Sequence, residues 1–429
     1  MLIALLIFLV TLVLIFIRPK GIKEVWFAAA GALLAWLFGL VDAEDARGLF
    51  ADTGGVLLFL AGVLVIASLT DRAGVFERMA QAVARLAQGD GRRLFAGIYL
   101  IGVFVTIWLS LDTTAVILAP IVYNLARLVR VSPLPFVFAT TYVANTASLL
   151  LPVSNLTNLI VWGRLKLPFW EFARVMLLPS MLAIGVNLGL LFWLFRKEVP
   201  RHYDERLLAA SPASVAHAHG REREMLITGS WALGLILIAI GLAPLFKIEL
   251  WHIACAGALL LAAYHLVRTG LTLGELARNI PWDLIPFVFS LFLIMRAVAK
   301  TGLSEWAAGT VLTWAAGQSF GELLTVALAT ALGSNLINNL PMILAVMESL
   351  ATPVTNGQLD IATLYGALIG TNLGPNLTVI GSLATMLSLS IIGKKGLRVS
   401  GLLYLKIGLL SVPLLLLAAV FGLWLTLHF

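Results

Sequence analysis

The sequence predicts an all-α polytopic membrane protein with two inverted-topology repeats, each containing a re-entrant helical hairpin and a broken transmembrane helix. Three observations lead to this class: an apolar composition, apolar runs of bilayer length, and polar breaks that recur at a fixed spacing. Of 429 residues, 60% are hydrophobic and 12% are charged, whereas soluble domains average about 45–50% and about 25%. With a mean hydropathy of +0.99, most of the surface is expected to face lipid.

Unbroken spans are predicted wherever an apolar run approaches the length of about 20 residues that crosses a bilayer as a helix. They lie near residues 2–17, 24–42, 48–70, 168–195, 226–245, 249–267, 282–300 and 401–427. No basic segment precedes the first run and no small-residue cleavage pattern follows it, so it is predicted to be a span rather than a signal peptide.

Two apolar segments are predicted to be re-entrant hairpins. Residues 94–128 are interrupted around Asp112, which leaves two arms too short to span comfortably, with basic residues beyond both ends. Residues 320–350 repeat this pattern, with Asn338 and Asn339 at the turn. We therefore expect both ends of each hairpin on one face of the membrane.

Two further spans are predicted to be broken in their middle. Residues 135–163 are interrupted around 154–158, and residues 361–392 around 371–376. Lipid cannot satisfy the backbone groups that a helix break frees, so the breaks should line a polar cavity. Under this topology most lysines and arginines fall in loops on one side, which the positive-inside rule makes cytoplasmic. The topology then has ten crossings, two hairpins and both termini outside.

An internal repeat relates the two halves. A shift of 227 residues lays the first three spans on later spans, and it lays Asp112 on Asn339 and Asn145 on Asn372. It predicts a first repeat at 1–195, a cytoplasmic linker at 196–225 and a second repeat at 226–429. The third span and its counterpart run in opposite directions, and inverted repeats with broken helices are typical of secondary transporters. Two linker histidines, His217 and His219, are expected in a solvated loop rather than a metal site.

The candidate binding residues are amide, hydroxyl and carboxyl side chains at the four breaks. They are Asp112, Thr113, Asn145, Ser148, Ser154, Asn155, Asn338, Asn339, Asn372, Asn376, Thr378 and Ser382. Such a set without Lys or Arg suits a neutral polyhydroxy solute or a desolvated cation. Each asparagine taken alone could equally pack between helices.

Asp112 is the one ionisable residue at these breaks. Carboxyl groups at membrane depth mark proton pathways, so Asp112 is predicted to bind a coupling proton. The alternative is that its side chain caps the hairpin helix. The other charged residues in or near spans are expected to extend their charged ends toward the membrane surface; they are Glu171, Arg174, Arg296, Glu348 and Lys406.

The composition argues against several other classes. The single cysteine, Cys255, excludes a disulfide framework and a thiolate zinc site, and no cofactor or metal is predicted. The net charge of +7 lies in short loops, so membrane lipid rather than nucleic acid is the expected partner. A membrane-embedded oxidoreductase or hydrolase would need histidine pairs, a metal cluster or a paired catalytic site within the spans, so no enzyme activity is predicted.

Several motifs resemble the ArsB-type arsenite permeases of bacteria over nearly the whole chain. They are Arg18–Gly21 (RPKG), Asp112–Pro120 (DTTAVILAP), Thr146–Ser148 (TAS), Val153–Leu156 (VSNL), Arg196–Pro200 (RKEVP), Asn338–Pro341 (NNLP), Leu373–Pro375 (LGP) and Ile380–Thr385 (IGSLAT).

The resemblance implies proton-coupled efflux of arsenite or antimonite, as the neutral trivalent hydroxide, across the bacterial cytoplasmic membrane. Such an antiporter would confer arsenic resistance, in some members with a cytoplasmic ATPase subunit. The family pattern has Asp and Lys where this chain has Asn372 and Asn376, and Asn where it has Leu111, which could alter coupling or substrate. The alternative within the same superfamily is a sodium/proton antiporter or an organic-anion carrier of the citrate or dicarboxylate type.

Overall fold

The described part of the molecule is helical. The computed structural model describes residues 2–210, 221–303, 306–307, 309–310 and 318–429. Among these residues, nine helices are long and apolar enough to cross a membrane, and β-structure is limited to an isolated bridge. The predicted all-α polytopic membrane class is confirmed.

The N-terminal part of the chain, up to residue 195, carries the helices α1 to α9. They are α1 (Leu2–Ile17), α2 (Glu24–Leu37), α3 (Ala43–Arg72), α4 (Val75–Leu86), α5 (Gly91–Leu109), α6 (Leu111–Leu128), α7 (Pro133–Thr146), α8 (Leu156–Leu165) and α9 (Phe169–Leu194).

The C-terminal part carries the helices α10 to α18. They are α10 (Arg221–Leu242), α11 (Leu250–Arg268), α12 (Leu273–Asn279), α13 (Leu284–Val298), α14 (Phe320–Ile337), α15 (Asn339–Thr355), α16 (Ile361–Leu373), α17 (Leu383–Lys394) and α18 (Gly401–His428).

Helix ends differ from the predicted spans in a few places. The third helix begins at Ala43, because Asp42 accepts a hydrogen bond from the Asp45 backbone N–H (2.9 Å) and Asp45 accepts one from Asp42 (3.0 Å). This reciprocal pair is a capping box, which sets a helix start. The short helix α12 was not predicted, and α10 begins at Arg221, inside the predicted linker. His217 and His219 lie outside the described residues.

Backbone conformations at the helix breaks recur along the chain. Ser110 (φ 100, ψ 157) separates α5 from α6, and Asn338 (φ 74, ψ 155) separates α14 from α15 in a similar conformation. The arms α5, α6 and α14, which were predicted to be too short to span comfortably, are among the nine helices long enough to cross a membrane. Asn155 (φ −150, ψ 143) and Ser382 (φ −136, ψ 136) precede α8 and α17 in nearly identical extended conformations. The second pair is 227 residues apart, as the repeat predicts, whereas the hairpin pair is 228 apart. The hairpin register is therefore shifted by one residue.

Helices of the N-terminal part pack against helices of the C-terminal part in matched pairs. Helix α2 packs against α13 while α3 packs against α11, and α8 packs against α15 while α6 packs against α17. The last helices of the two parts, α9 and α18, contact each other in opposite directions. A Cβ on Gly422 would lie 2.8 Å from the Pro179 nitrogen, while at the other end Phe195 and Tyr404 both contact the ring of Phe138. Matched pairs of this kind are expected when two similar parts are related by a two-fold axis.

Ion pairs join segments for which the topology prediction gives the same side. The hydrogen bond from Lys23 to Asp283 joins two predicted cytoplasmic loops, and it raises the pKa of the Lys23 amine. The pair between Arg164 and Glu348 (2.8 Å) joins two segments predicted to face outside.

Close packing of α14 on α16 depends on Gly370. A Cβ at this position would overlap the carbonyl oxygen of Ala327 and lie 2.9 Å from its carbonyl carbon. Backbone atoms cannot rotate away, so we expect Gly370→Ala to destabilise the protein by about 1–3 kcal/mol and to lower its melting temperature in detergent. Gly185→Ala is the matched control because a Cβ there meets open space. Equal melting temperatures for the two variants would contradict this account of the packing.

Candidate functional site

A cavity of about 50 Å³ lies where four helices begin, and we call it the central cavity. The first residues of α6, α8, α15 and α17 contribute Leu111, Asp112, Asn155, Leu156, Thr157, Asn338, Asn339, Leu340, Ser382, Leu383 and Ala384. Helices α3 and α13 add Leu60, Leu284, Phe287 and Val288. A buried water needs about 10–15 Å³ by this measure, so the cavity fits a solute of a few heavy atoms.

Helix starts give the central cavity a positive electrostatic character. The first backbone N–H groups of a helix have no partner within the helix, and each helix N-terminus carries about half a positive charge. Four such ends contribute to the lining, and Asp112 is the one ionisable residue among the lining residues. The lining is therefore suited to hold one negative charge or several hydrogen-bond acceptors.

The first hairpin presents Asp112 to the central cavity. The break at Ser110 ends α5, and the hydroxyls of Thr106 and Thr114 hold the two arms together at 2.8 Å. Thr113 turns away and donates to the Leu109 carbonyl at 3.0 Å. Within the described part of the chain, no hydrogen bond or ion pair reaches the Asp112 carboxylate. The alternative role as a helix cap therefore has no contact to support it, and the carboxylate is free for a solute.

The second hairpin presents Asn339. Its neighbour Asn338 caps α15, because its side-chain oxygen accepts from the Leu340 N–H (3.3 Å) and its Nδ2 donates to the Ile380 carbonyl (3.2 Å). Asn339 is 7% exposed and lines the central cavity. Among the described residues its amide makes no hydrogen bond, so both its donor and its acceptor remain available.

Asn372 organises the start of α8 from the other half of the chain. Its Oδ1 accepts from Asn155 Nδ2 (2.8 Å) and Thr157 Oγ1 (2.7 Å), and its Nδ2 donates to Asn158 Oδ1 (2.7 Å). Asn158 Nδ2 in turn donates to the Ser148 carbonyl at 2.8 Å. These bonds use both acceptor positions of Asn372 Oδ1 and one of the two N–H donors of its Nδ2. Asn372 is not part of the cavity lining, so it supports the cavity wall.

Asn145 makes the corresponding connection in the opposite direction. Its Nδ2 donates to Asn376 Oδ1 (3.0 Å) and to Thr385 Oγ1 (3.2 Å), and Asn376 Nδ2 donates to Thr146 Oγ1 (3.0 Å). All of these side chains are fully buried. Two amide networks thus join the halves across their broken helices.

The predicted binding residues divide into two groups. Those that line the central cavity are Asp112, Asn155, Asn338, Asn339 and Ser382. Those that are not part of its lining are Thr113, Asn145, Ser148, Ser154, Asn372, Asn376 and Thr378. In this second group the side chains bond to protein, as when Ser154 donates to the Ile107 carbonyl (2.7 Å) and Thr378 to Asn335 Oδ1 (2.7 Å). The structure thus gives these seven residues protein partners and no place in the lining of the central cavity.

Thr157 also lines the central cavity, and it lies in the predicted break at 154–158, two residues after Asn155. The apolar residues of α3 and α13, such as Leu60 and Phe287, carried no signal because they lie in ordinary apolar spans.

A cluster of charges lies away from the central cavity, and we call it the ion cluster. Glu348 pairs with Arg164 (2.8 Å) and Arg296 (3.3 Å), and Asp45 pairs with Arg296 (3.5 Å) and Lys300. The side chains of Asp45 and Glu348 are 8% and 10% exposed. Arg296 and Glu348, which were expected to extend toward the membrane surface, each have charged partners on other helices.

The chain was compared with known protein families and their members. A family model described as arsenical pump membrane protein matches residues 3–427. The arsenical pump membrane protein of Escherichia coli strain K12 is 33% identical over 419 residues, which cover 97% of this chain and 96% of that protein. A putative arsenical pump membrane protein of Bacillus subtilis strain 168 is 24% identical over 423 residues, with 95% of each chain covered.

A solved structure is similar in fold. The crystal structure of the Alcanivorax borkumensis YdaH transporter, described as revealing an unusual topology, matches with a TM-score of 0.56 and 16% identity over 91% of this chain and 90% of that one. The family match confirms the resemblance seen in the sequence motifs and the prediction of a transporter rather than an enzyme. The chain is a multi-pass membrane transporter, and it belongs to the ArsB family of arsenical pump membrane proteins.

Proposed function

We propose that this protein exports arsenite and antimonite, as neutral trihydroxides, in exchange for protons across the bacterial cytoplasmic membrane, and that it thereby confers metalloid resistance. The observation that carries the proposal is the central cavity. It combines one unpaired carboxylate, Asp112, with the free amide of Asn339 at a meeting point of four helix starts.

The central cavity suits a small trihydroxide in size and chemistry. Such a solute has three O–H donors and several oxygen acceptors. The Asp112 carboxylate accepts hydrogen bonds, the Asn339 amide both donates and accepts, and unpaired N–H groups at the helix starts donate. Citrate or a dicarboxylate would need more than about 50 Å³ and a fixed cation, and the lining contains no Lys or Arg.

Competition between the solute and a proton for the Asp112 carboxylate would account for their exchange across the membrane. When ionised, the carboxylate accepts hydrogen bonds from the hydroxyls of the solute, and these charge-assisted bonds are the stronger kind. When protonated, it loses its charge and part of its acceptor capacity, so the solute binds less well. Proton binding on one side of the membrane would then release the solute, as antiport requires. Four helix N-termini stabilise the ionised form while the solute is bound.

Two inverted halves would provide alternating access. We place the first half at 1–195, the linker at 196–225 and the second half at 226–429, with re-entrant hairpins at α5–α6 and α14–α15. Support comes from the recurring backbone conformations at the breaks, the reciprocal packing of α2, α3, α11 and α13, and the opposite directions of α9 and α18. Broken helices that meet between inverted repeats are the usual binding site of secondary transporters.

The first test is resistance to arsenite and antimonite in a sensitive bacterial strain that lacks its own pump. We expect the wild type to raise the tolerated arsenite concentration, and Asn339→Ala to remove most of this gain, because the loss of a buried solute contact costs about tenfold or more in affinity. Asn356→Ala is the matched control, since this asparagine lies exposed at the other end of α15. Full resistance with Asn339→Ala at equal expression would exclude this residue from the site.

The second candidate function is a sodium/proton antiporter or an organic-anion carrier. Measurements of arsenite and succinate uptake into membrane vesicles distinguish it from arsenite export. Arsenite uptake into inside-out vesicles should follow an imposed pH gradient and should not require sodium. Sodium-dependent succinate uptake without arsenite movement would replace the proposed function by this alternative.

A further inference from the structure

A second and larger cavity lies beside the central cavity. Its volume is about 800 Å³, and we call it the outer cavity because its loops are predicted to face outside. Its walls come from α3, from α8 with the residues that follow it, and from the start of α11, and consist of Ala51, Asp52, Gly55, Val56, Phe59, Leu159, Trp162, Gly163, Arg164, Lys166, Leu167, Glu249, Leu250 and Trp251. Neither the family match nor the proposed function assigns it a role.

The two cavities lie along the same pair of packed helices, α3 and α8. On α3, Phe59 lines the outer cavity and the next residue, Leu60, lines the central cavity. On α8, Leu159 lines the outer cavity and Leu156, one turn earlier, lines the central cavity. The separation between the cavities along these helices is therefore about one helical turn.

Apolar side chains form this separation. Phe59, Leu60 and Leu159 are 3%, 7% and 4% exposed, and Leu156 is partly buried. An apolar constriction excludes water and polar solutes until it widens, which is how hydrophobic gates close a pathway. A small movement of α8 away from α3 would join the two cavities.

The ion cluster is placed to oppose that movement. Helix α8 starts at the central cavity and ends near Arg164, about one and a half turns beyond Leu159 of the apolar separation. Helix α15 also starts at the central cavity, and it carries Glu348. Glu348 holds Arg164 of α8, while Arg296 of α13 holds both Glu348 and Asp45 of α3. The ends of α8 and α15 that lie away from the central cavity are thus connected to α3 and α13 by ion pairs.

The charges in this cluster are mutually connected and largely buried at their carboxylates. Isolated surface pairs contribute little, but networks and partly buried pairs contribute more, and removal of one partner leaves the remaining charges uncompensated. The wall of the outer cavity has no net charge, because it contains two acidic and two basic residues, Asp52, Glu249, Arg164 and Lys166. Net charge therefore neither attracts nor retains a solute in the outer cavity.

We propose that Phe59, Leu60, Leu156 and Leu159 form a gate between the central and outer cavities, that the outer cavity is an exit vestibule for the solute, and that the ion cluster holds this gate closed. The identity of the solute rests on the proposed function, whereas the gate itself does not.

The gate is tested by the accessibility of a cysteine placed behind it. Cys255→Ser removes the native thiol, and Ala384→Cys puts a reporter into the central cavity. A membrane-impermeant methanethiosulfonate reagent is then applied to right-side-out and inside-out vesicles. From the side that bears Arg164, we expect Arg164→Gln and Glu348→Gln each to speed labelling about tenfold, which corresponds to about 1.4 kcal/mol. Arg164→Lys keeps the charge and should stay closer to the wild-type rate.

Lys23→Gln is the matched control, because the pair of Lys23 with Asp283 joins loops at the other predicted face. Equal labelling rates in the cluster variants and the parent, or the same increase with Lys23→Gln, would overturn the gate. Melting temperatures of the same variants show whether faster labelling reflects partial unfolding. If the cluster variants are labelled faster but the protein does not transport arsenite, the proposed function is wrong and the gate is supported. If the protein transports arsenite but the cluster variants are labelled at the parent rate, the gate is wrong and the proposed function is supported.

Discussion

Asp112→Asn should abolish proton-driven arsenite transport and leave the protein folded. Asparagine has nearly the same shape as aspartate but can neither carry a negative charge nor exchange a proton at neutral pH. Hydrogen bonds to charged groups contribute about 1.5–3 kcal/mol, so we expect solute affinity to fall by about 10–100-fold. The pH gradient should no longer drive accumulation at all. The measurement is arsenite uptake into inside-out vesicles with and without an imposed pH gradient.

Asp71→Asn is the matched control for this experiment. This aspartate lies near the end of α3 and takes no part in the lining of the central cavity. It should retain the pH-driven uptake of the wild type. If Asp112→Asn also retained it, the coupling proton would have to bind elsewhere, and the competition mechanism would be withdrawn.

Asn372→Leu should have the largest effect on stability. Leucine fills a similar volume, but it leaves the Asn155 amide, the Thr157 hydroxyl and the Asn158 side-chain oxygen without the partners they have now. Each unsatisfied buried polar group costs about 1–3 kcal/mol, so three such losses amount to a large part of the stability of a typical domain. We expect little folded protein, measured by expression in the membrane and by the melting temperature in detergent.

Asn372→Asp gives the informative comparison. Burial favours the protonated acid, whose carbonyl oxygen can accept from Asn155 and Thr157 and whose hydroxyl can donate to Asn158 Oδ1, so aspartic acid should be tolerated better than leucine. This residue is also the one that the ArsB-type pattern has at this position. Similar melting temperatures for Asn372→Leu and the wild type would mean that the amide network does not hold the halves together.

Local features of the chain were sufficient to predict the long helices and most of the places where they break. A run of apolar residues crosses a bilayer because of its length and composition, and both can be counted in the sequence. Polar interruptions around Asp112, Asn155 and Asn338 marked three of the helix starts that line the central cavity, because a break in lipid needs polar partners. The fourth helix start, at Leu383, lies beyond the break predicted at 371–376. The conformations at Asn155 and Ser382 recur at the shift of 227 residues seen in the sequence, and those at Ser110 and Asn338 recur at 228.

Hydrogen bonds and ion pairs between segments far apart in the chain could not be predicted from such local features. Asn155 and Asn372 are both buried amides at breaks, but Asn155 lines the central cavity while Asn372 stands behind it, and the bond between them spans 217 positions in the chain. Arg164 and Glu348 pair across 184 positions, and no local feature of the sequence indicates that these two charges meet.

Sequence by itself thus determined the membrane class, the broken helices and the polar chemistry of the breaks, since each depends on the composition of one short segment. Tertiary structure decided which amides face the solute, which charges pair, and where a second cavity adjoins the first. The physical reason is that hydrogen bonds and ion pairs depend on distances of a few ångströms between segments, and these distances are set by how all the helices pack together.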